Sequence, residues 1–209
     1  MEFDSLIFDI DGTLWDSRAM VAEGYNIQLR AEGLDHLCLK AEDLTPLFGK
    51  VKEDLANALF AMLPEEGRNA LMNRCMDSER EYMADMDCCA IGYPNVKETL
   101  EELAKTYRLF IVSNCDCGYP ELCMEKLEIG HLIEGHLCYG DTGTHKGETI
   151  LKLMADHKIT SACYIGDTQG DATAAEFAGI PFVYCAYGFG NVEAYWKEIN
   201  SFKELLNIF

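Results

Sequence analysis

The sequence predicts a doubly wound parallel α/β fold of five or more strands, with four helices inserted after the first strand. Two observations carry this prediction. Beyond Pro94, short apolar runs alternate with segments of helical periodicity, which is typical of strands joined by crossover helices. Between Asp16 and about Cys89, helical patterning dominates and strand-like runs are absent. We therefore expect an α/β core domain of residues 1–15 and 89–209 and a helical domain of residues 16–88.

The first strand is predicted from the uninterrupted apolar run Leu6-Ile7-Phe8, which suits a parallel strand buried on both faces. The run ends in Asp9-Ile10-Asp11-Gly12-Thr13. Two carboxylates at the mouth of a buried strand are costly unless a cation or a reaction compensates their charge. Gly12 fits a sharp turn or a close approach to a ligand. The alternative is an acidic turn that only closes the strand.

The helical domain is predicted from apolar spacing and from the residues that interrupt it. The first helix should end near Gly33, the second should break around Phe48-Gly49-Lys50, and Pro64 should stop the third. The four helices are expected near 19–29, 44–48, 51–63 and 65–86, with hinges to the core near 14–16 and 88–92.

The remaining elements follow the α/β rhythm. Strands are expected at 108–113, 136–140, 161–166 and 180–186, and helices at 96–105, 120–127, 147–157, 171–178 and 202–206. In such a sheet ligands bind beyond the carboxyl ends of the strands. Four polar positions follow those ends: Ser113 with Asn114, Lys146, Asp167, and Asp171 four residues later. We expect these side chains to meet Asp9 and Asp11 at one edge of the sheet.

The composition restricts the partners. With 36 acidic and 17 basic residues, the chain has a formal charge of −19, which repels phosphate backbones and anionic lipid. Neither a nucleic acid nor a membrane is therefore expected as a partner. The sequence has no signal-peptide pattern and no apolar run of membrane-span length, so we expect a cytoplasmic protein, monomeric or homodimeric.

The ten cysteines show no paired CxxC spacing, so a structural zinc site is not expected. Several lie in apolar runs, as Cys163 and Cys185 do, and are interpreted as buried reduced thiols. Cys115 and Cys117 follow a predicted strand, and the sequence leaves open whether they are reactive.

The segments DIDGTLWDS at residues 9–17 and GDTQGD at residues 166–171 resemble motifs of the haloacid dehalogenase-like (HAD) superfamily. The serine after strand two and the lysine after strand three occur in the family's order, so the resemblance covers the chain nearly end to end. It implies a Rossmann-like fold and a Mg²⁺-dependent phosphatase of the phosphoglycolate phosphatase-like subfamily, whose small helical cap would correspond to residues 16–88.

The resemblance also implies roles for individual residues. Asp9 would be the nucleophile that forms an aspartyl-phosphate, and Asp11 would protonate the leaving oxygen and then activate water. Asp9, Asp167 and the main-chain carbonyl of Asp11 would hold Mg²⁺, which prefers oxygen ligands. Lys146 would supply positive charge for catalysis and for substrate binding. Asp171 would hold a metal-bound water, orient Lys146, or cap a helix.

The substrate would be a small phosphorylated metabolite: a phosphoglycolate-like compound, a sugar phosphate or a nucleotide. Ser113 and Asn114 would bind its phosphate together with Lys146, and Lys50 in the loop between cap helices two and three would contact a second anionic group. An acid at Asp11 disfavours dehalogenation, because relatives that remove halide lack it.

Two alternatives stay open. A phosphomutase of the β-phosphoglucomutase type shares the fold and motifs, but such enzymes place a histidine in the first cap helix, and the stretch RAMVAEGYN contains none. A non-catalytic protein that binds a phosphorylated metabolite on the same scaffold is the other.

Overall fold

A computed structural model describes residues 3–85 and 92–209. Its centre is a sheet of six parallel strands in the order β3-β2-β1-β4-β5-β6, which confirms the predicted α/β class. The strands are β1 (Ser5–Phe8), β2 (Arg108–Ser113), β3 (Ile133–Cys138), β4 (Ala162–Gly166), β5 (Phe182–Cys185) and β6 (Lys197–Ile199).

Strand β1 lies in the middle of the sheet, and all four of its residues are buried. It pairs with β2 on one side and with β4 on the other, so that Ile7 lies beside Phe110 and Tyr164. Alternate residues enter different hydrophobic clusters, Leu6 and Phe8 on one face and Ile7 on the other. Burial on both faces explains why the run is uninterrupted rather than alternating.

Helices cover both faces of the sheet. One face packs against α5 (Val96–Leu103), α6 (Tyr119–Lys126) and the C-terminal 3-10 helix (Phe202–Asn207). The other face packs against α8 (Lys146–Asp156) and α9 (Gln169–Ala178), and a short helix, α7 (Tyr139–Thr142), precedes α8. The result is a three-layer, doubly wound arrangement in which the strand ends share one edge.

The chain between β1 and α5 forms α1 (Arg18–Ala31), α2 (Ala41–Leu44), α3 (Lys52–Leu59) and α4 (Glu65–Asp85), which agree in number with the four predicted helices. Helix α2 lies earlier than the predicted 44–48, and a 3-10 turn (Thr45–Leu47) occupies most of that range. They enclose a hydrophobic cluster of their own. Gly24 allows close packing of α1 on α4, since a Cβ there would lie 2.5 Å from Glu79 Cα. The domain boundary at residues 16–88 stays a prediction, and most of the expected hinge at 88–92 lies outside the described residues.

The chain leaves and re-enters the sheet region at neighbouring points. Trp15 forms an isolated antiparallel bridge with Gly92, and Tyr93 N donates to Leu14 O at 3.0 Å. Across residues 3–85 and 92–209, every helix is too short or too polar to traverse a lipid bilayer.

Several elements differ from the sequence-based expectation. Strand β3 ends at Cys138 rather than at 140, because Asp141 accepts a hydrogen bond from Cys138 N at 2.9 Å and α7 begins at Tyr139. Strand β6 was not located from the sequence, because only Ile199 of its three residues is buried. The C-terminal segment is a 3-10 helix rather than an α-helix.

Candidate active site

Asp9 lies at the carboxyl end of β1 and is held in place by its backbone and by a buried lysine. Its N–H donates to Ile165 O at 2.9 Å, which continues the pairing with β4. Lys146, the first residue of α8, donates to Asp9 Oδ1 at 2.9 Å and to Asp171 Oδ1 at 2.6 Å. All three side chains are at least 95% buried. The structure thus brings together three residues that are far apart in sequence.

Burial and neighbouring charges shift the pKa values of both Asp9 and Lys146. Burial raises the pKa of Asp9 to about 7, Asp171 adds to this effect, and Lys146 opposes it. Burial lowers the pKa of Lys146, but Asp171 and Asp9 more than offset it, so that the pKa lies well above its ordinary value. Lys146 is therefore charged. A second positive charge beside Asp9 would be needed to keep its carboxylate fully ionised at neutral pH.

The Asp11 carboxyl group is oriented through one of its oxygens. Asp11 Oδ1 accepts hydrogen bonds from Trp15 Nε1 at 2.9 Å, from Tyr119 OH at 2.7 Å and from the Ser17 hydroxyl. Within the described ranges, no hydrogen bond reaches Oδ2. Burial raises the pKa of Asp11, while the donors Ser17, Tyr119 and Trp15 lower it. The group is fixed in position and retains one oxygen for proton transfer.

Asp167 follows β4 and fits a cation site. Its Oδ2 accepts from Phe189 N at 2.7 Å, whereas its buried Oδ1 has no hydrogen-bond partner in the part of the chain that the structure describes. Gly12, at φ 81°, is required here, because a Cβ would lie 2.0 Å from Asp167 Oδ2. Carboxylate oxygens of Asp9, Asp167 and Asp171 lie within 4.8 Å of one another. An unpartnered buried oxygen in an all-oxygen cluster fits a hard divalent cation such as Mg²⁺.

Asp171 contacts Lys146, as expected, but it lies inside α9 and not at the N-cap position that the sequence favoured. The N-cap of α9 is Thr168, and Asp171 is the third helical residue, in a capping box. Its Oδ2 accepts from Thr168 N at 2.9 Å and from Thr168 Oγ1 at 2.7 Å, and its Oδ1 accepts from Lys146. Both oxygens are therefore engaged in capping the helix and orienting the lysine.

The loop between α2 and α3 reaches the sheet edge. Asn114 Nδ2 donates to Gly49 O at 2.6 Å, and the Phe48 and Phe189 rings are 5.0 Å apart. Asn114 Oδ1 is buried and has no partner among the described residues. Ser113, at the end of β2, is buried, whereas Lys50 is exposed.

A cavity of about 740 Å³, counted with its opening to solvent, lies between the sheet edge and the helices. This size is in the range of small-molecule sites. The sheet edge and the helical layer both line it, including Asp9, Asp11, Ser113, Asn114, Tyr25, Lys50, Glu79 and Arg80. Lys146 and Asp167 are not among the described lining residues and adjoin the cavity through Asp9.

Sequence reasoning missed several groups around this cavity. Trp15 and Ser17 lie inside the first motif, so the sequence alone could have placed them near Asp11. Tyr119 is 108 residues away from Asp11, and nothing in the sequence links the two. Glu79 belongs to a helix rich in charged residues, which predicts an exposed side chain, yet it is only 5% exposed. Burial raises the pKa of Glu79 to about 8, with a further contribution from Asp11.

A parallel sheet whose central strand ends in paired carboxylates, covered by an inserted helical layer, defines an α/β enzyme with its site at the strand ends. The model of the haloacid dehalogenase-like hydrolase family matches residues 6–185. The chain belongs to this family, which confirms the resemblance seen in DIDGTLWDS and GDTQGD.

Relatives agree with this assignment, and solved structures share the fold. A phosphoglycolate phosphatase from Agrobacterium fabrum is 29% identical over 198 residues, which cover 89% of this chain and 82% of that protein. A predicted phosphoglycolate phosphatase from Haemophilus somnus has a TM-score of 0.83 at 23% identity, with 100% and 98% of the two chains covered. A haloacid dehalogenase-like hydrolase from Streptococcus pneumoniae has a TM-score of 0.81 at 22% identity, covering 99% and 98%.

Proposed function

We propose that this chain is a Mg²⁺-dependent phosphatase that hydrolyses a small phosphate monoester through an aspartyl-phosphate on Asp9. One observation carries the proposal. Asp9 is held by Lys146 at the end of the central strand, and Asp11, two residues later, lines the same cavity with one carboxyl oxygen that accepts no hydrogen bond from the described residues. A nucleophile and a fixed acid on one strand end are what a two-step phosphoryl transfer requires.

In the first step the Asp9 carboxylate attacks phosphorus. The bond between phosphorus and the ester oxygen breaks, and Asp11 gives that oxygen a proton. In the second step Asp11, now ionised, takes a proton from a water molecule whose oxygen attacks the phosphorus on Asp9. The bond to Asp9 breaks, phosphate leaves, and both aspartates return to their starting states.

The Asp9 and Asp167 carboxylates, with the main-chain carbonyl of Asp11, are proposed to hold Mg²⁺. When bound, the ion would offset the repulsion between the carboxylate and the phosphate. The unpartnered Asp167 Oδ1 supports this assignment. Asp171 would act on Lys146 rather than on the ion, because both of its oxygens already accept hydrogen bonds.

The other groups are proposed to bind and enclose the substrate. Ser113, Asn114 and Lys146 would hold the phosphate, and Lys50 would meet a second anionic group at the cavity mouth. The helices within residues 16–88 would act as a cap that excludes bulk water. The substrate class includes phosphoglycolate, since relatives carry that name, and extends to sugar phosphates and nucleotides.

The test is phosphate release from p-nitrophenyl phosphate, then from phosphoglycolate and a panel of phosphorylated metabolites, with Mg²⁺ or with chelator. We expect turnover only with Mg²⁺. Asp9→Asn keeps the size of the side chain but removes the nucleophile, and should lower the rate by at least about a thousandfold. A variant rate above a hundredth of the wild-type rate would refute Asp9 as the nucleophile, and an unaffected rate in chelator would refute the Mg²⁺ requirement.

A further inference from the structure

A second cluster of possible ligand atoms lies beside the active site, formed by Cys117, Cys138 and Asp141. Cys117 Sγ is 3.4 Å from Asp141 Oδ1, and Cys138 Sγ is 3.1 Å from Asp141 Oδ2. One potential ligand atom from each residue lies within 4.8 Å of the other two. None of the three lines the active-site cavity described above. We call this group the thiol cluster.

The thiol cluster is built from two loops that only the fold brings together. Cys117 lies in the loop after β2, while Cys138 ends β3 and Asp141 lies in α7. Gly140 makes their contact possible, because a Cβ there would lie 2.4 Å from Cys117 N and 2.8 Å from Cys117 Sγ. Its N–H also donates to Cys115 O at 3.1 Å. The loops are thus fastened through the backbone, and the side-chain cluster is assembled in advance.

Helix capping explains only part of this arrangement. Asp141 caps α7 by accepting from Cys138 N, which accounts for its Oδ2. It does not explain why the Cys117 thiol donates to the other oxygen of Asp141. Two sulfur atoms and a carboxylate therefore meet at one place.

Their chemistry and spacing match a zinc site. With Zn–S distances near 2.3 Å and Zn–O near 2.1 Å, ligand atoms in a tetrahedron are about 3.5–3.8 Å apart. Cys117 Sγ and Cys138 Sγ lie 3.4 and 3.1 Å from the two different oxygens of Asp141, and one ligand atom from each residue lies within 4.8 Å of the other two, so small side-chain movements would bring two sulfurs and one oxygen to these separations. Thiolates favour Zn²⁺ over Mg²⁺, which takes oxygen ligands. Sequence spacing could not reveal this site, because its two cysteines are 21 positions apart, one after β2 and the other at the end of β3.

The thiols are poorly suited to act as nucleophiles. Loss of hydration and the neighbouring Asp141 and Cys138 raise the pKa of Cys117 to about 11, whereas reactive cysteines have lowered pKa values. A divalent cation would displace the thiol protons into solvent and offset the repulsion between the resulting thiolates and Asp141.

We propose that Cys117, Cys138 and Asp141 form a binding site for a thiophilic divalent cation, Zn²⁺ by ligand type, separate from the Mg²⁺ site. Cys115 or a water molecule would complete the coordination. A cation there ties the segment after β2, which carries Ser113 and Asn114, to the start of α7.

The test uses the full-length protein, reduced with a phosphine, stripped by chelator and exchanged into buffer with excess Mg²⁺. Co²⁺ is added, and the sulfur-to-cobalt charge-transfer band is followed, with Zn²⁺ then added to displace it. We expect one equivalent of Co²⁺ to bind and Zn²⁺ to abolish the band. Cys117→Ser, at an exposed position, should weaken binding by at least about tenfold. Cys38→Ser, in the helical layer, is the matched control and should bind as wild type does.

Two further variants keep the test decisive. Cys138 is buried, so Cys138→Ser is read only if its circular dichroism is native, and Asp141→Asn provides the surface alternative. Asp167→Asn should retain the band, because it alters only the proposed Mg²⁺ site. No charge-transfer band in the wild type, an equal band in Cys117→Ser, or loss of the band in Asp167→Asn would each overturn the proposal. None of these readouts depends on phosphatase activity.

Discussion

The sheet edge and the helical layer contribute to the same cavity but position their side chains differently. At the sheet edge, strand pairing and buried polar contacts fix each group, as the Lys146 bonds to Asp9 and Asp171 show. The helical layer has its own hydrophobic cluster and meets the edge through contacts such as that of Asn114 with Gly49. The comparison teaches that the groups proposed for chemistry are rigidly placed, whereas those that close the cavity are held by contacts that can separate.

A large loss of turnover is expected from a change at the sheet edge. Asp11→Asn removes the proposed acid and base but keeps Asp9, Lys146 and Asp167, so substrate and Mg²⁺ should still bind. We expect turnover of an alkyl phosphate to fall about 10²- to 10⁴-fold. With an aryl phosphate the first step should partly survive, and phosphorylated Asp9 should accumulate and be detected by mass after an acid quench. Wild-type turnover without phosphoenzyme would remove Asp11 from this role.

A smaller effect is expected at the proposed metal ligand. Asp167→Asn leaves the Phe189 N–H bond possible but replaces one carboxylate of the cluster. The Mg²⁺ concentration for half-maximal activity should rise by about ten- to a hundredfold, measured by titration in metal-free buffer. Glu134→Gln, at a surface ion pair with Arg108, serves as the control and should leave the titration unchanged. An unchanged titration in Asp167→Asn would exclude Asp167 as a ligand.

The contact between the two regions should matter less. Asn114→Ala removes the hydrogen bond to Gly49 O and the proposed phosphate contact. We expect kcat/KM to fall about 2- to 10-fold, mainly through KM, which is the range for a single hydrogen bond. Glu53→Gln, which alters the 3.3 Å contact with Tyr139 OH, is the control away from the sheet-edge carboxylates. A fall in kcat of several hundredfold in Asn114→Ala would contradict this prediction and would give Asn114 a role as large as that of the sheet-edge carboxylates.

The smallest effect concerns stability in the helical layer. The pKa of Glu79 is raised from 4.5 to about 8, so folding favours its protonated form. The stabilisation that protonated Glu79 gives the folded state is fully present below pH 4.5 and is lost as the pH rises through 8. The Tm of wild type should therefore fall relative to that of Glu79→Gln between pH 5 and 8, by about 3 °C or more. Parallel Tm curves in differential scanning calorimetry would contradict this.

Sequence predicted the sheet edge better than the cavity above it. The run Leu6–Phe8 and the carboxylates after it are local signals, and strand ends meet at one edge in any parallel sheet. Tyr119 and Glu79 become neighbours of the site only through packing between distant segments, which periodicity does not encode. Strand β6 was not predicted either, since one buried residue in three gives no recognisable pattern.

The bridge between Trp15 and Gly92 has a consequence for engineering. Because the chain leaves the sheet and returns to it at two paired residues, Trp15 and Gly92, the segment between them is an insertion whose two ends lie side by side. The entropy of closing such a loop changes only logarithmically with its length, so its size places little demand on the sheet. The helical segment of a relative with another substrate preference should therefore be graftable at these two residues, while the strand-end carboxylates keep their positions.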